Sequence, residues 1–177
     1  VGCGGNAGGH HTGGGGGGGL IYRPAFPVTP GGVIPYSLAN AQSASTNYSG
    51  RGNDSVFGPL TALTGGNGRT GGQTTYPPSS TSLDSPFVGG SGAGGNHSPN
   101  PTHGGNQGIQ STLTGDSGTY GFGNDGGAGQ YPGPRATGGG GGGAGGNGNN
   151  GSSSGGNGGS GKAYTISGSS VTYAGGG

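Results

Sequence analysis

The sequence has no Met, no Trp and no Glu, and only one cysteine, Cys3. A single cysteine excludes an intrachain disulfide framework. Leu, Ile, Val and Phe together make up only about 11% of the chain, below the roughly 20% under which a chain lacks the apolar surface for a core. A conventional enzyme domain of 177 residues buries a contiguous core, and this composition excludes one. No run approaches the roughly 18 apolar residues of a membrane-crossing helix, so membrane insertion is not expected. Charge is equally scarce: five Arg or Lys stand against four acidic residues, for a net charge of +1. The scattered basic residues form no patch, which argues against nucleic-acid binding. The near-neutral balance also removes the self-repulsion that keeps disordered chains open.

What fills the space is glycine, 57 residues of 177, or about one in three against about 7% in ordinary proteins. Each glycine costs about 1 kcal/mol in a helix relative to alanine, so no significant helix is expected. Collagen needs an unbroken Gly-X-Y period and abundant proline. Here the period breaks repeatedly and there are 12 prolines. Short stretches nevertheless hold a three-residue phase: Gly2, Gly5 and Gly8; Gly89, Gly92 and Gly95; Gly139 through Gly142, Gly145 and Gly148 to Gly151; then Gly155, Gly158 and Gly161. An extended left-handed helix has three residues per turn. Glycine on one or two of its faces lets neighbouring backbones approach and bond amide to carbonyl. Each such bond contributes only about 0.5–1.5 kcal/mol net, and glycine loses the most entropy on ordering. One arm alone is therefore unstable. Several must pack together, with their ends fixed by something else.

The apolar residues gather where such anchors could form. Strand candidates are 20–28, 33–38 and 55–63, with a terminal hairpin of 163–166 and 171–174 around Ser167-Gly168-Ser169-Ser170. Prolines demote the first to an edge or irregular strand. The expected fold is all-β: a small, irregular, sandwich-like platform carrying polyglycine-II-type arms and long loops. A single glycine-rich structural domain spans 1–177. Within it, 1–63 holds a glycine run and strands, 64–137 is a loop-rich Pro/Ser/Thr/Gly region, and 138–177 holds arms and the hairpin. A start without Met and an end inside a glycine run give the expectation of a fragment of a longer chain.

Chemical motifs are few. Gly156 to Lys162 has phosphate-loop spacing, but Ala163 stands where a Mg²⁺-binding hydroxyl is needed and no strand precedes it. Gly115-Asp116-Ser117-Gly118 reads as a turn rather than a nucleophile elbow. The four Asp are spread along the chain, which disfavours paired-carboxylate chemistry. His10 and His11 are candidate metal ligands, with His97 and His103 a second pair. Their plainer reading is surface-loop residues, and no cofactor is expected.

One order of motifs carries a resemblance. A glycine run, Gly13 to Gly19, is followed by Phe26-Pro27-Val28-Thr29-Pro30-Gly31, then by Asp54-Ser55-Val56-Phe57-Gly58-Pro59-Leu60-Thr61-Ala62. After long glycine tracts comes Tyr164-Thr165-Ile166-Ser167-Gly168-Ser169-Ser170-Val171-Thr172-Tyr173-Ala174-Gly175-Gly176-Gly177. This pattern resembles the glycine-rich domain of bacteriophage tail and tail-fibre proteins, over about the first 65 and last 40 residues. The resemblance implies a non-enzymatic virion structural part, adhesin-like in some members. It implies self-association as a trimer or polymer, contact with other virion proteins, and contact with a host-surface glycan or protein. Aromatics on glycine-rich loops offer contact area at low entropic cost. That makes Tyr76, Tyr120, Phe122 and Tyr131 the receptor-contact candidates, with pinning of loops to the platform as their alternative role. The alternative for the whole chain is a self-assembling extracellular filament or coat protein held by glycine backbone bonds.

Overall fold

A computed structural model describes residues 1–7, 12–40, 52–68, 85, 87–97, 104–130 and 136–177. Among them there is no helix, and the regular strands are short. Most of the described chain is instead glycine-rich extended backbone whose hydrogen-bond partners step by three residues. Ten such arms can be traced: g1 (1–7), g2 (12–19), g3 (63–68), g4 (89–96), g5 (104–110), g6 (123–130), g7 (137–145), g8 (147–151), g9 (155–161) and g10 (174–177).

Arm g7 shows the rule. The N–H groups of Gly139 and Gly142 donate to Gly95 and Gly92 of g4, at 2.9 and 2.8 Å. Gly140 donates to Asn149 of g8, and Gly141 and Ala144 donate to Gly177 and Ala174 of g10. Its carbonyls accept in the three intervening directions, from Gly14 and Gly17 of g2, Gly127 of g6, and Gly156 and Gly159 of g9. Six arms therefore ring g7, alternately as acceptors and donors, and successive members of the ring are bonded to one another. A three-residue turn produces this pattern because it aims consecutive peptide units about a third of a revolution apart.

The arms stack as three layers of three. These are g3–g2–g10, g4–g7–g9 and g5–g6–g8, and g1 lies against g2 and g3 as the start of a fourth layer. The composition of each arm follows its place. The innermost arms are the uninterrupted glycine runs 13–19 and 138–143. A Cβ on Gly141 would collide with the Gly15 carbonyl, and one on Gly140 with that of Asn157. Outer arms carry side chains on their solvent side, three residues apart: Asn147 and Asn150 on g8, Asn157 and Ser160 on g9, all exposed. The Asn147 and Asn150 amide oxygens accept the N–H groups of Asp125 and Ala128 at 3.2 and 2.8 Å, finishing the outer edge of g6.

Among the described residues, all the strands sit at one end of this lattice. β1 (Leu20–Ile21) continues g2 and pairs antiparallel with β7 (Gly121–Phe122), which leads into g6. β2 (Tyr36–Ser37), β3 (Ser55–Phe57) and β4 (Leu60–Ala62) form a three-stranded antiparallel sheet that leads into g3. β5 (Thr114–Gly115) and β6 (Gly118–Thr119) make a hairpin, as do β8 (Lys162–Tyr164) and β9 (Val171–Tyr173) between g9 and g10.

The all-β, helix-free expectation holds, and the terminal hairpin lies where its sequence placed it. Three expectations change. Residues 55–63 form a hairpin rather than one strand, because Gly58 takes φ +55° and Pro59 follows it. The middle stretch, expected to be loop-rich, contributes g3 to g6. The platform is also four small separate sheets instead of a sandwich.

Candidate functional site

The hairpin end is held by a few aromatic contacts. Leu20 is buried, and the Tyr22 and Tyr164 rings lie 4.1 Å apart between centroids. Phe26 meets Phe57 edge-on at 5.3 Å. Arg23 lies over both Phe26 and Tyr120, and its Nη2 pairs with Asp116 Oδ2 at 2.6 Å. Nε donates to Asp116 Oδ1 at 2.9 Å, so the pair is bidentate. The hydrogen bond from Arg23 holds the Asp116 carboxyl below the usual carboxylate range, and the same bond raises the guanidinium. Burial pushes the Tyr164 phenol up, with a smaller contribution from Tyr22.

Around these pins the surface is apolar. Val33 is 93% exposed, Leu38 75% and Tyr36 71%. A groove of about 320 Å³ is lined by Ile21, Phe26, Tyr36, Leu38, Val56 and Phe57, among others. A second, of about 300 Å³, is bordered by Phe26, Val28, Val33 and Ile34. Exposed apolar surface of this kind is a candidate contact site.

At the opposite end the described residues are mostly Gly, Asn, Ser and Thr. Arms g1, g3, g4 and g6 all run away from the hairpins. Gln130 and Thr137 bridge g6 to g7 there, and Ser152 to Ser154 turn g8 into g9.

The receptor-contact candidates divide. Tyr76 and Tyr131 lie outside the described residues, as do the metal candidates His10 and His11. Tyr120 is only 9% exposed, beneath Arg23, and Phe122 is half-buried with Lys162 Nζ 4.1 Å from its ring centroid. Both side chains make contacts within the hairpin end, as their alternative role of pinning loops to the platform has it. No sequence motif singles out the exposed Val33, Tyr36 and Leu38. The prolines around them, which keep the segment irregular, were the available signal.

The chemistry-bearing groups are tied into the scaffold. Asp54 accepts the Thr64 N–H and Asp125 accepts that of Gly108, each at 2.8 Å. Cys3 Sγ lies 2.9 Å from Thr64 Oγ1. The phosphate-loop-like stretch is arm g9, whose Gly156 and Gly159 N–H groups are committed to g7. Among the described residues no three His, Cys, Asp or Glu side chains converge on a common point, and no helix is long and apolar enough to cross a membrane. No family model matches the chain, and no curated protein or solved structure does either.

Proposed function

We propose that this chain is a non-enzymatic structural component of a bacteriophage tail or tail fibre. The hairpin end seats on other virion proteins, and the opposite end faces the host surface. The observation that carries the reading is the two-ended build. Exposed Val33, Tyr36 and Leu38 crowd one end of a lattice, and among the described residues no large apolar side chain is exposed at the other. A body of this kind suits fixing at one end and display at the other. The motif order at both termini supports the same assignment. Tyr76 and Tyr131, which lie outside the described residues, stay as receptor-contact candidates on the strength of their sequence setting.

The test is immunogold electron microscopy of particles from the source, with an antibody raised against the whole chain. Gold confined to tail ends of phage particles is the expected result. Gold along free filaments without heads overturns the reading in favour of an extracellular filament.

A further inference from the structure

Each arm of the lattice presents N–H groups in three directions. In g2, Gly16 and Gly19 donate to g3, and Gly14 and Gly17 donate to g7. The third direction belongs to Gly15 and Gly18, and it points between g1 and g10. Neither N–H has a partner among the described residues. Five of the six positions around g2 are filled, by g1, g3, g4, g7 and g10; the sixth is a notch.

The walls of the notch are complementary to its floor. The Gly5 carbonyl of g1 lies against the Cα of Gly15, that of Gly2 against Gly18, and that of Gly175 in g10 against Gly17. None of these three carbonyls accepts an N–H among the described residues. Elsewhere in the lattice the same placement has a meaning. The Asn157 carbonyl of g9 lies against the Cα of Gly140 in g7 and accepts its N–H from g8, the neighbour shared by both arms. By that rule the carbonyls of Gly5 and Gly2 await an N–H from an arm in the notch, and the Gly175 carbonyl, without an N–H among the described residues, borders the same gap. That arm would return a carbonyl to Gly15 and Gly18.

Comparable gaps are closed by this chain itself. The notch beside g3 and g4 holds Phe87, whose carbonyl accepts the Ala93 N–H at 3.0 Å. The outer edge of g6 is capped by Asn147 and Asn150. At the notch beside g2 there is neither plug nor cap among the described residues. The bordering positions that elsewhere carry Asn or Ser are bare Gly4 and Gly175, exposed, with the nearest atoms to a notional Cβ at 3.7 and 3.9 Å. The occupant must donate toward g1 and g10, accept from g2, and bring no side chain on those faces.

We propose that the notch between g1, g2 and g10 binds a glycine-rich segment of another polypeptide in the polyglycine-II conformation. The inference stands apart from the virion reading, because it uses only backbone complementarity.

The experiment is NMR on the whole chain titrated with a heptaglycine peptide flanked by lysines. A lysine-flanked heptaproline, which shares the helix but lacks N–H groups, is the control. With heptaglycine the Gly15 and Gly18 amides shift and exchange at least about tenfold more slowly, while heptaproline has no effect. Gly175→Asn and Gly4→Asn, both placed in open space, abolish the response while hairpin resonances stay unchanged. The proposal is overturned by an unmoved Gly15 amide at millimolar peptide, by an equal response to heptaproline, or by Gly15 protection in the free chain. Protection that rises with protein concentration alone also overturns it, since the occupant is then a second copy.

Discussion

The Gly17 N–H donates to the Gly142 carbonyl at 2.9 Å, joining the two uninterrupted glycine runs of the sequence at the middle of the lattice. That bond identifies what those runs are for. A residue with neighbours on every side of its arm has no direction left for a side chain.

Gly141→Ala places a methyl group on the Gly15 carbonyl. Overpacking of a filled interior costs about 1–3 kcal/mol, and the lost lattice bonds add to it. Gly175→Ala meets open space and changes stability by less than about 0.5 kcal/mol. Chemical denaturation of the two variants checks the contrast. Equal stabilities would show that the arms are not packed against one another.

Amide exchange ranks the arms by depth. The N–H groups of 139–142, each bonded to a neighbour inside the ring, exchange only on global unfolding. Those of the exposed Ser167–Ser169 turn exchange early. Hydrogen exchange by mass spectrometry measures this directly, and free-peptide rates across 139–142 would contradict the lattice.

The Arg23–Asp116 pair gives an acid dependence of known sign. The Asp116 pKa is lowered in the folded chain by its bond from Arg23. Its contribution is therefore full above the unfolded carboxylate pKa and is lost as pH falls through the lower folded value. Thermal melts across the acid range show this loss in the wild type, and Asp116→Asn flattens that part of the profile. The partial exposure of both side chains keeps the effect small.

Two tyrosines at the hairpin end separate structure from contact. Tyr120→Ala removes a buried ring from beneath Arg23 and destabilises by about 3–5 kcal/mol. Tyr36→Ala removes a ring that is 71% exposed, leaves the melt within about 0.5 kcal/mol of wild type, and, under the proposed function, weakens attachment to virion partners. Co-sedimentation with particles lacking the chain reads the second effect.

The three-residue phase was legible, and its interruptions were not. Gly139, Gly142 and Gly145 lie in g7, while Gly148 and Gly151, in the same phase, belong to g8 running the other way. Glycine occupies arm and turn with equal ease, so phase alone does not locate the reversal at 144–146. The strand segments were legible from their aliphatic and aromatic clusters, except where Gly58-Pro59 folded one in two. At the candidate site, aromatic identity marked Tyr120 and Phe122 but not their burial. Burial depends on Arg23 and Lys162 reaching them from distant parts of the chain.

A sheet couples its strands in one plane and yields readily when flexed out of it. Arm g7 is tied outward along six spokes, so a sideways load meets similar resistance from every quarter. A slender rod made this way keeps its tip on axis without thick walls or an oily centre, which is a mechanical property that few residues other than glycine could supply.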